Sequence, residues 1–259
     1  MGTLPPMFDI AVNLADDQLR NDADGVLKRA QQAGVNQCLL VGTDIEESHW
    51  LAQQFDQLQQ PWTAGIHPHY AQQAPADWLD HLRKLQALPG CVAIGECGLD
   101  FFRMLSPQQC QIDLCQAQIE LAAELSKPVY LHDRDASESL LKILNNSPKV
   151  NGVVHCFTSD KKSLDDYLSM GLHIGITAWC LDERRGQALA KLVPTIPSER
   201  LLIETDAPYL VPRTLKPRPK RNEPQFLGHI IEGVAALRGE NADELARQTT
   251  ANAQALFQC

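Results

Sequence analysis

Residues 91–98 read CVAIGECG, residues 106–126 read SPQQCQIDLCQAQIELAAELS, and residues 128–134 read PVYLHDR. A short β-rich run is thus followed by a helical stretch and then a second β-rich run. The helical stretch opens with Ser106 as the expected N-cap and Pro107 as the first helical residue, a pairing suited to a helix start. The same alternation continues outward in both directions. MFDIAVNL (7–14), NQCLLVGT (36–43) and WTAGIHPH (62–69) lie upstream, and GVVHCFT (152–158), HIGITA (173–178) and RLLIETDA (200–207) lie downstream. Helical segments fill the gaps, such as DADGVLKRAQQAG (22–34), which Gly34 ends. Two closing helices are expected within 222–239 and 241–257, with Asn241 capping the second. Eight β-rich runs alternating with helices predict an α/β protein, a (β/α)₈ TIM barrel built on a parallel sheet.

The bulk properties agree with that frame. The chain has 259 residues, and barrels of this type commonly use about 250 as one unit. No repeat, low-complexity tract or Gly/Ser linker marks a boundary, so one domain is expected over residues 7–259. Residues 1–6 carry no helix or strand signal and read as a disordered extension or a cloning remnant. The chain lacks a membrane-length apolar run and a signal-peptide pattern, which predicts a cytoplasmic protein with no membrane partner. The cysteines are scattered, with no CxxC pair, and are expected to be reduced and mostly buried. The formal net charge of −9 excludes a tight, salt-resistant nucleic-acid-binding module. An enzyme that handles a few nucleotides with bound metal ions and a local basic patch remains compatible with it.

In a barrel, active-site groups sit at the carboxyl ends of the strands. The eight expected ends are Asn13, Thr43, His67, Glu96, His132, His155, Thr177 and Asp206, all polar. Two imidazoles and two carboxylates (His132, His155, Glu96, Asp206) form a nitrogen and oxygen donor set suited to Zn²⁺, Mn²⁺ or Mg²⁺. The glycines at 95 and 98 are expected to leave room for a ligand beside Glu96, and Asp100 can reach the same mouth. The bland alternatives are a buried Glu96 paired with a cation and two satisfied structural histidines. Asp206 can also take a proton from attacking water. His67 is placed at substrate or proton transfer, and His69 less firmly so. Glu204 and Asn13 are expected to orient ligands from behind, with plain packing an equal reading of Glu204. Arg134 either clamps a phosphate or pairs with Asp133 or Asp135. The run VPRTLKPRPKRNEP carries Arg213, Lys216, Arg218, Lys220 and Arg221 with no acid among positions 213–221. It reads as a Pro-stiffened loop at the active-site mouth, with Arg213, Lys216 and Arg221 contacting the phosphate backbone, or as an ordinary solvated charge run.

The segments GIHPH, AIGECGLDF, LHDRDA, VVHCFTS, IGITAW, LLIETDAPYL and RNEP, in this order from Met7 to Phe257, resemble the TatD family. The resemblance implies a barrel of the amidohydrolase-like type and a metal-dependent phosphodiesterase. Its expected activity is 3′-to-5′ exonuclease digestion of single-stranded DNA and RNA, with a role in DNA repair. It places metal ligands at Glu96, His132, His155 and Asp206, and a substrate-contacting histidine at His67. The chain departs from the family at strand one. Most members begin with Asp-x-His-x-His, whereas Asp9-Ile10-Ala11-Val12-Asn13 has neither histidine; the Asn form resembles the bacterial members that give the family its name. Losing two nitrogen donors favours Mg²⁺ over Mn²⁺ or Zn²⁺ and predicts one metal, on Glu96, His132 and His155, held more firmly than a second. A monomer is expected. The rival readings are an amidohydrolase acting on a small cyclic amide or ester, and a non-catalytic metal-stabilised barrel.

Overall fold

A computed structural model describes residues 4–259; the expected extension therefore lies outside the described residues for its first three positions. Leu4, Pro5 and Pro6 are in neither helix nor strand, and the Pro6 carbonyl accepts a hydrogen bond from the Thr250 hydroxyl at 3.3 Å.

All eight expected strands are present. They are β1 (Met7–Val12), β2 (Val35–Leu40), β3 (Trp62–Ala64), β4 (Cys91–Asp100), β5 (Val129–Arg134), β6 (Gly152–Val154), β7 (His173–Ile176) and β8 (Leu201–Ile203). They form one eight-stranded sheet in chain order, with parallel pairing of β1 on β2, β3 on β4, β4 on β5, β5 on β6 and β7 on β8. A parallel bridge between Val12 and Ala207 joins the first strand to the segment after the last. That order, with helices between the strands, is the (β/α)₈ barrel fold.

Most strands are shorter than the apolar runs that announced them. His67 lies three residues past β3, and Asp206 three past β8, while Asn13, His155 and Thr177 each follow their strand directly. Only Glu96 and His132 lie inside strands. Chain that has left the ladder can turn its polar side chains where a strand's alternation would not allow.

The described residues group into two compact units. One holds residues up to Leu40, Cys156–Asp160 and Ile174–Gln258; the other holds Val41–His155 and Lys161–His173. In the first, Ile10, Val12, Leu39, Leu202, Ile230 and Val234 are wholly buried, each contributing about 1.5–3 kcal/mol by leaving water. In the second, Ile94, Val129, Leu131, Ile119 and Leu140 do the same.

Asn241 caps the closing helix Ala242–Phe257 by accepting from the N–H groups of Asp243 and Glu244. The cap expected at Ser106 does not form. The helix begins at Gln108 with Pro107 in the cap position, because the Ser106 hydroxyl is already engaged: it donates to the His69 carbonyl and accepts from the Gln72 N–H. All eight cysteines are free thiols, five of them buried.

In the first unit, the Asp9 carboxylate ties β1 to the turn after β8. It accepts from the N–H of Ala11 and from both the N–H and the hydroxyl of Thr205, the last at 2.5 Å. Burial pushes its pKa up to about 7, against the opposing hydrogen bonds. Because the folded value exceeds the unfolded one, Asp9's contribution is fully present below the ordinary carboxylate range and is lost as pH rises through 7. Asp9→Asn keeps acceptor and donor in place without the charge. The thermal midpoint of the variant should therefore fall less than that of the parent as pH rises from about 4 to about 7; parallel pH profiles would show that Asp9 does not set this slope.

Candidate active site

In the second unit, Glu96 is the centre of the site. It projects from β4, is 5% exposed, and its Oε1 lies 2.8 Å from His155 Nε2, 2.9 Å from His132 Nδ1 and 3.3 Å from His67 Nε2. One buried carboxylate oxygen thus meets three imidazoles. The rings pack edge-on or tilted, with centroids of His67 and His132 4.5 Å apart. No lysine or arginine pairs with Glu96 among the described residues, which removes the bland alternative of a buried Glu–cation pair.

A second carboxylate stands behind this cluster. Asp100 ends β4, with Oδ2 2.8 Å from His69 Nε2 and 3.4 Å from His132 Nε2, while Oδ1 accepts from the N–H groups of Phe102 and Arg103. His69, weakly placed from sequence, is therefore tied to the site through Asp100. The ECGLD spacing is the signal: Glu96, Gly98 and Asp100 alternate along one strand.

Burial pushes the His67 pKa down to about 4, outweighing the pull of Glu96, so its imidazole is neutral at pH 7; Nδ1 accepts from the His69 N–H at 3.1 Å, which leaves the ring proton on Nε2, facing Glu96. Burial would raise Glu96, yet the His155 and His67 rings overcome it and hold the carboxyl well below its usual range. Burial would likewise lower His132, but Asp100 and Glu96 outweigh it and raise its pKa.

The glycines beside Glu96 do not make the space expected of them. A Cβ at Gly98 would come within 2.0 Å of the His132 carbonyl oxygen, and one at Gly95 within 2.3 Å of that of Tyr130. The space they open is taken by the backbone of β5, and that close approach is what sets His132 beside Glu96.

In the first unit, Asp206 follows β8 with φ of 58°, and its Oδ1 accepts from Asn13 Nδ2 at 3.0 Å. Asn13 also donates to the Ala207 carbonyl, which fixes the amide's orientation. Glu204 is fully buried, and its Oε1 accepts from the N–H of Cys156, the residue after His155. Asn222 of the RNEP segment donates to the Thr205 carbonyl, and Glu223 binds Arg29 at 2.7 Å and Arg221 at 2.9 Å. The segment thus braces the turn that carries Asp206, a task that sequence reading left unassigned.

Two of the three cations expected on the phosphate backbone are already paired. Arg213 meets Asp182 at 2.9 Å, and Arg221 meets Asp22 at 2.8 Å as well as Glu223. Lys216, Arg218 and Lys220 carry no ion pair among the described residues, and all three are exposed. Arg134 pairs with neither Asp133 nor Asp135; its guanidinium lies over the Phe102 ring, 4.2 Å from the centroid. Asp133 instead accepts from the N–H of Ala136 and the hydroxyls of Ser137 and Tyr167.

The donor chemistry suits a divalent cation. His67, Glu96 and His132 each offer one ligand atom, all within 4.8 Å of one another. Imidazole nitrogens gathered about a buried carboxylate are the mixed donor set that such an ion takes.

Fold and cluster together define a hydrolase-type (β/α)₈ barrel with a histidine–carboxylate centre. Residues 8–258 match the family described as TatD related DNase, and the chain belongs to that family. It is 50% identical over 257 residues to a protein of Erwinia amylovora named 3′-5′ ssDNA/RNA exonuclease TatD, covering 97% of this chain and 99% of that one. A protein of the same name from Erwinia tasmaniensis is 51% identical over 259 residues, with the same coverage. Among solved structures, a TatD homologue of Escherichia coli k12 matches with a TM-score of 0.90 and 26% identity, covering 98% of both chains. A TatD family hydrolase of Entamoeba histolytica, at 24% identity over 99% of both chains, shares the fold with a TM-score of 0.88.

Proposed function

We propose that this chain is a metal-dependent phosphodiesterase that removes nucleotides from the 3′ end of single-stranded DNA and RNA. The observation that carries the reading is the Glu96 centre, one buried carboxylate oxygen among three imidazoles. Half identity over nearly the full length of proteins named as such exonucleases supports the substrate. The working unit is one domain over residues 7–259, supported by a family match that runs unbroken from 8 to 258.

The residues that would hold the ion are Glu96, His132 and His155 with Asp206. Such an ion lowers the pKa of water and offsets charge on phosphoryl oxygens. The rest is the work of the chain's own groups. Asp206, oriented by Asn13, accepts the proton of the attacking water. His67, neutral at pH 7, positions a phosphoryl oxygen. Glu204 fixes the backbone that follows His155. Lys216, with Arg218 and Lys220, supplies the positive charge that an acidic chain otherwise lacks for a polyanion. Arg213 and Arg221 contribute less, since neighbouring carboxylates already offset them.

Magnesium is the ion we favour, because strand one offers Asn13 where the family has histidine and an oxygen-rich remainder suits a hard cation. We place the enzyme in the cytoplasm as a monomer serving DNA repair. Free, mostly buried thiols suit a reducing compartment, and no helix of the described residues is long and apolar enough to cross a membrane.

The test is incubation with end-labelled single-stranded DNA and RNA, with chelator and then with Mg²⁺, Mn²⁺ or Zn²⁺ restored. The expected result is a ladder of products shortened from the 3′ end, abolished by chelator and best restored by Mg²⁺. Absence of cleavage with every metal would defeat the reading.

A further inference from the structure

Six large hydrophobic side chains are exposed among the described residues, and three of them, Phe102, Met104 and Leu105, fall in four consecutive positions. Single exposed apolar residues need no explanation, but a run of them on one short loop does. Phe102 is 59% exposed, more than any other large hydrophobic residue described. The loop leaves the end of β4, directly after the strand that carries Glu96 and Asp100.

The exposure is built in, because the loop is pinned at several points. The Phe101 N–H donates to the Arg134 carbonyl at 2.9 Å, and the Phe102 N–H donates to Asp100 Oδ1 at 3.0 Å. The buried Gln111 amide closes the loop from beneath: its Oε1 accepts from the Asp100 N–H, and its Nε2 donates to the carbonyls of Asp100 and Ser106. The Phe102 ring is flat, rigidly based and backed on one side by the Arg134 guanidinium. A ring covered on one face by a cation and open elsewhere matches a nucleobase, whose π-face stacks on aromatic side chains whatever its identity. An unpaired strand offers such bases and a duplex does not.

We propose that Phe102, backed by Arg134, is the platform on which a base near the 3′ end of the single-stranded substrate stacks. This rests on the exonuclease reading above and gives it a physical basis for preferring single strands. Phe102 is on this account a substrate-positioning residue, and Arg134 acts through the ring rather than on a phosphate.

Three variants, Phe102→Ala, Phe102→Leu and Phe102→Trp, separate a stacking surface from mere apolar bulk. Base–aromatic stacking is worth enough that the Ala variant should raise the oligonucleotide KM about tenfold, with the smaller part of the effect in kcat. Trp should restore the parental KM, whereas Leu should not. Binding is read independently with a single-stranded oligonucleotide carrying 2-aminopurine next to its 3′-terminal nucleotide, in the presence of chelator. The parent and the Trp variant should quench its fluorescence, and the Ala and Leu variants should not. Equal quenching and equal KM in the parent and the Ala variant would overturn the proposal, as would full rescue by Leu. A parent that quenches but cleaves nothing with any metal would defeat the exonuclease reading and leave the platform standing. Loss of thermal stability in the Ala variant with binding unchanged would assign the Arg134–Phe102 contact to folding alone and overturn the proposal.

Discussion

Glu96→Gln is expected to lower kcat/KM on single-stranded DNA by about three orders of magnitude, because it removes the one negative charge on which the site's electrostatics converge. The amide has the size of the carboxyl, and its oxygen can still accept from His132 Nδ1 and His155 Nε2. The fold should therefore survive: Glu96 sits among polar partners, not among the aliphatic side chains that hold the sheet. Circular dichroism and thermal melting of the variant, run beside kinetics and calorimetric metal titration, separate the outcomes. Retained folding with lost activity and weakened metal binding is expected. Unfolding in proportion to lost activity would instead make Glu96 a structural group.

Asp206→Asn should cost about 10²- to 10⁴-fold in kcat with little change in KM, the span typical of losing a positioned proton acceptor. The carbonyl oxygen of the new amide could still accept from Asn13 Nδ2, so the side chain keeps the 3.0 Å bond that orients it. What is lost is the capacity to take a proton, together with the negative charge offered to the ion. The diagnostic measurement is kcat at saturating metal: a deficit that added metal does not restore supports the role. A variant with near-parental kcat would remove Asp206 from the chemistry.

The architecture was legible because barrel strands carry their signal locally, as apolar runs bounded by turns, and each helix between them declares its own period. The polar strand ends were equally legible, since one residue type at one place needs no knowledge of its neighbours. What could not be read was how side chains converge. Three imidazoles meet one oxygen of Glu96 from β5 and from the segments after β3 and β6, and the close approach of β4 and β5 at Gly95 and Gly98 that sets His132 there looks in sequence like room for a ligand. Ser106 had every local mark of a cap, and its hydroxyl was claimed by the loop at His69 and Gln72. The basic run was read correctly as charge, but its pairing with Asp22, Asp182 and Glu223 links positions up to 199 residues apart. No periodicity or motif spacing reports such a pairing.

Asp100 makes the loop and the histidines parts of one balance. Its two oxygens divide their attention, Oδ1 toward the backbone of Phe102 and Arg103 and Oδ2 toward His69 and His132. One rigid carboxyl group thus carries both sets of contacts at once. Any coupling carried by that carboxyl is reciprocal: what the ordering of residues 101–105 gives to the imidazoles, the imidazoles return to that ordering in the same measure. To the extent that a strand engaged on the loop and a charge settling on the rings are felt through Asp100, each changes the other's affinity by one common factor.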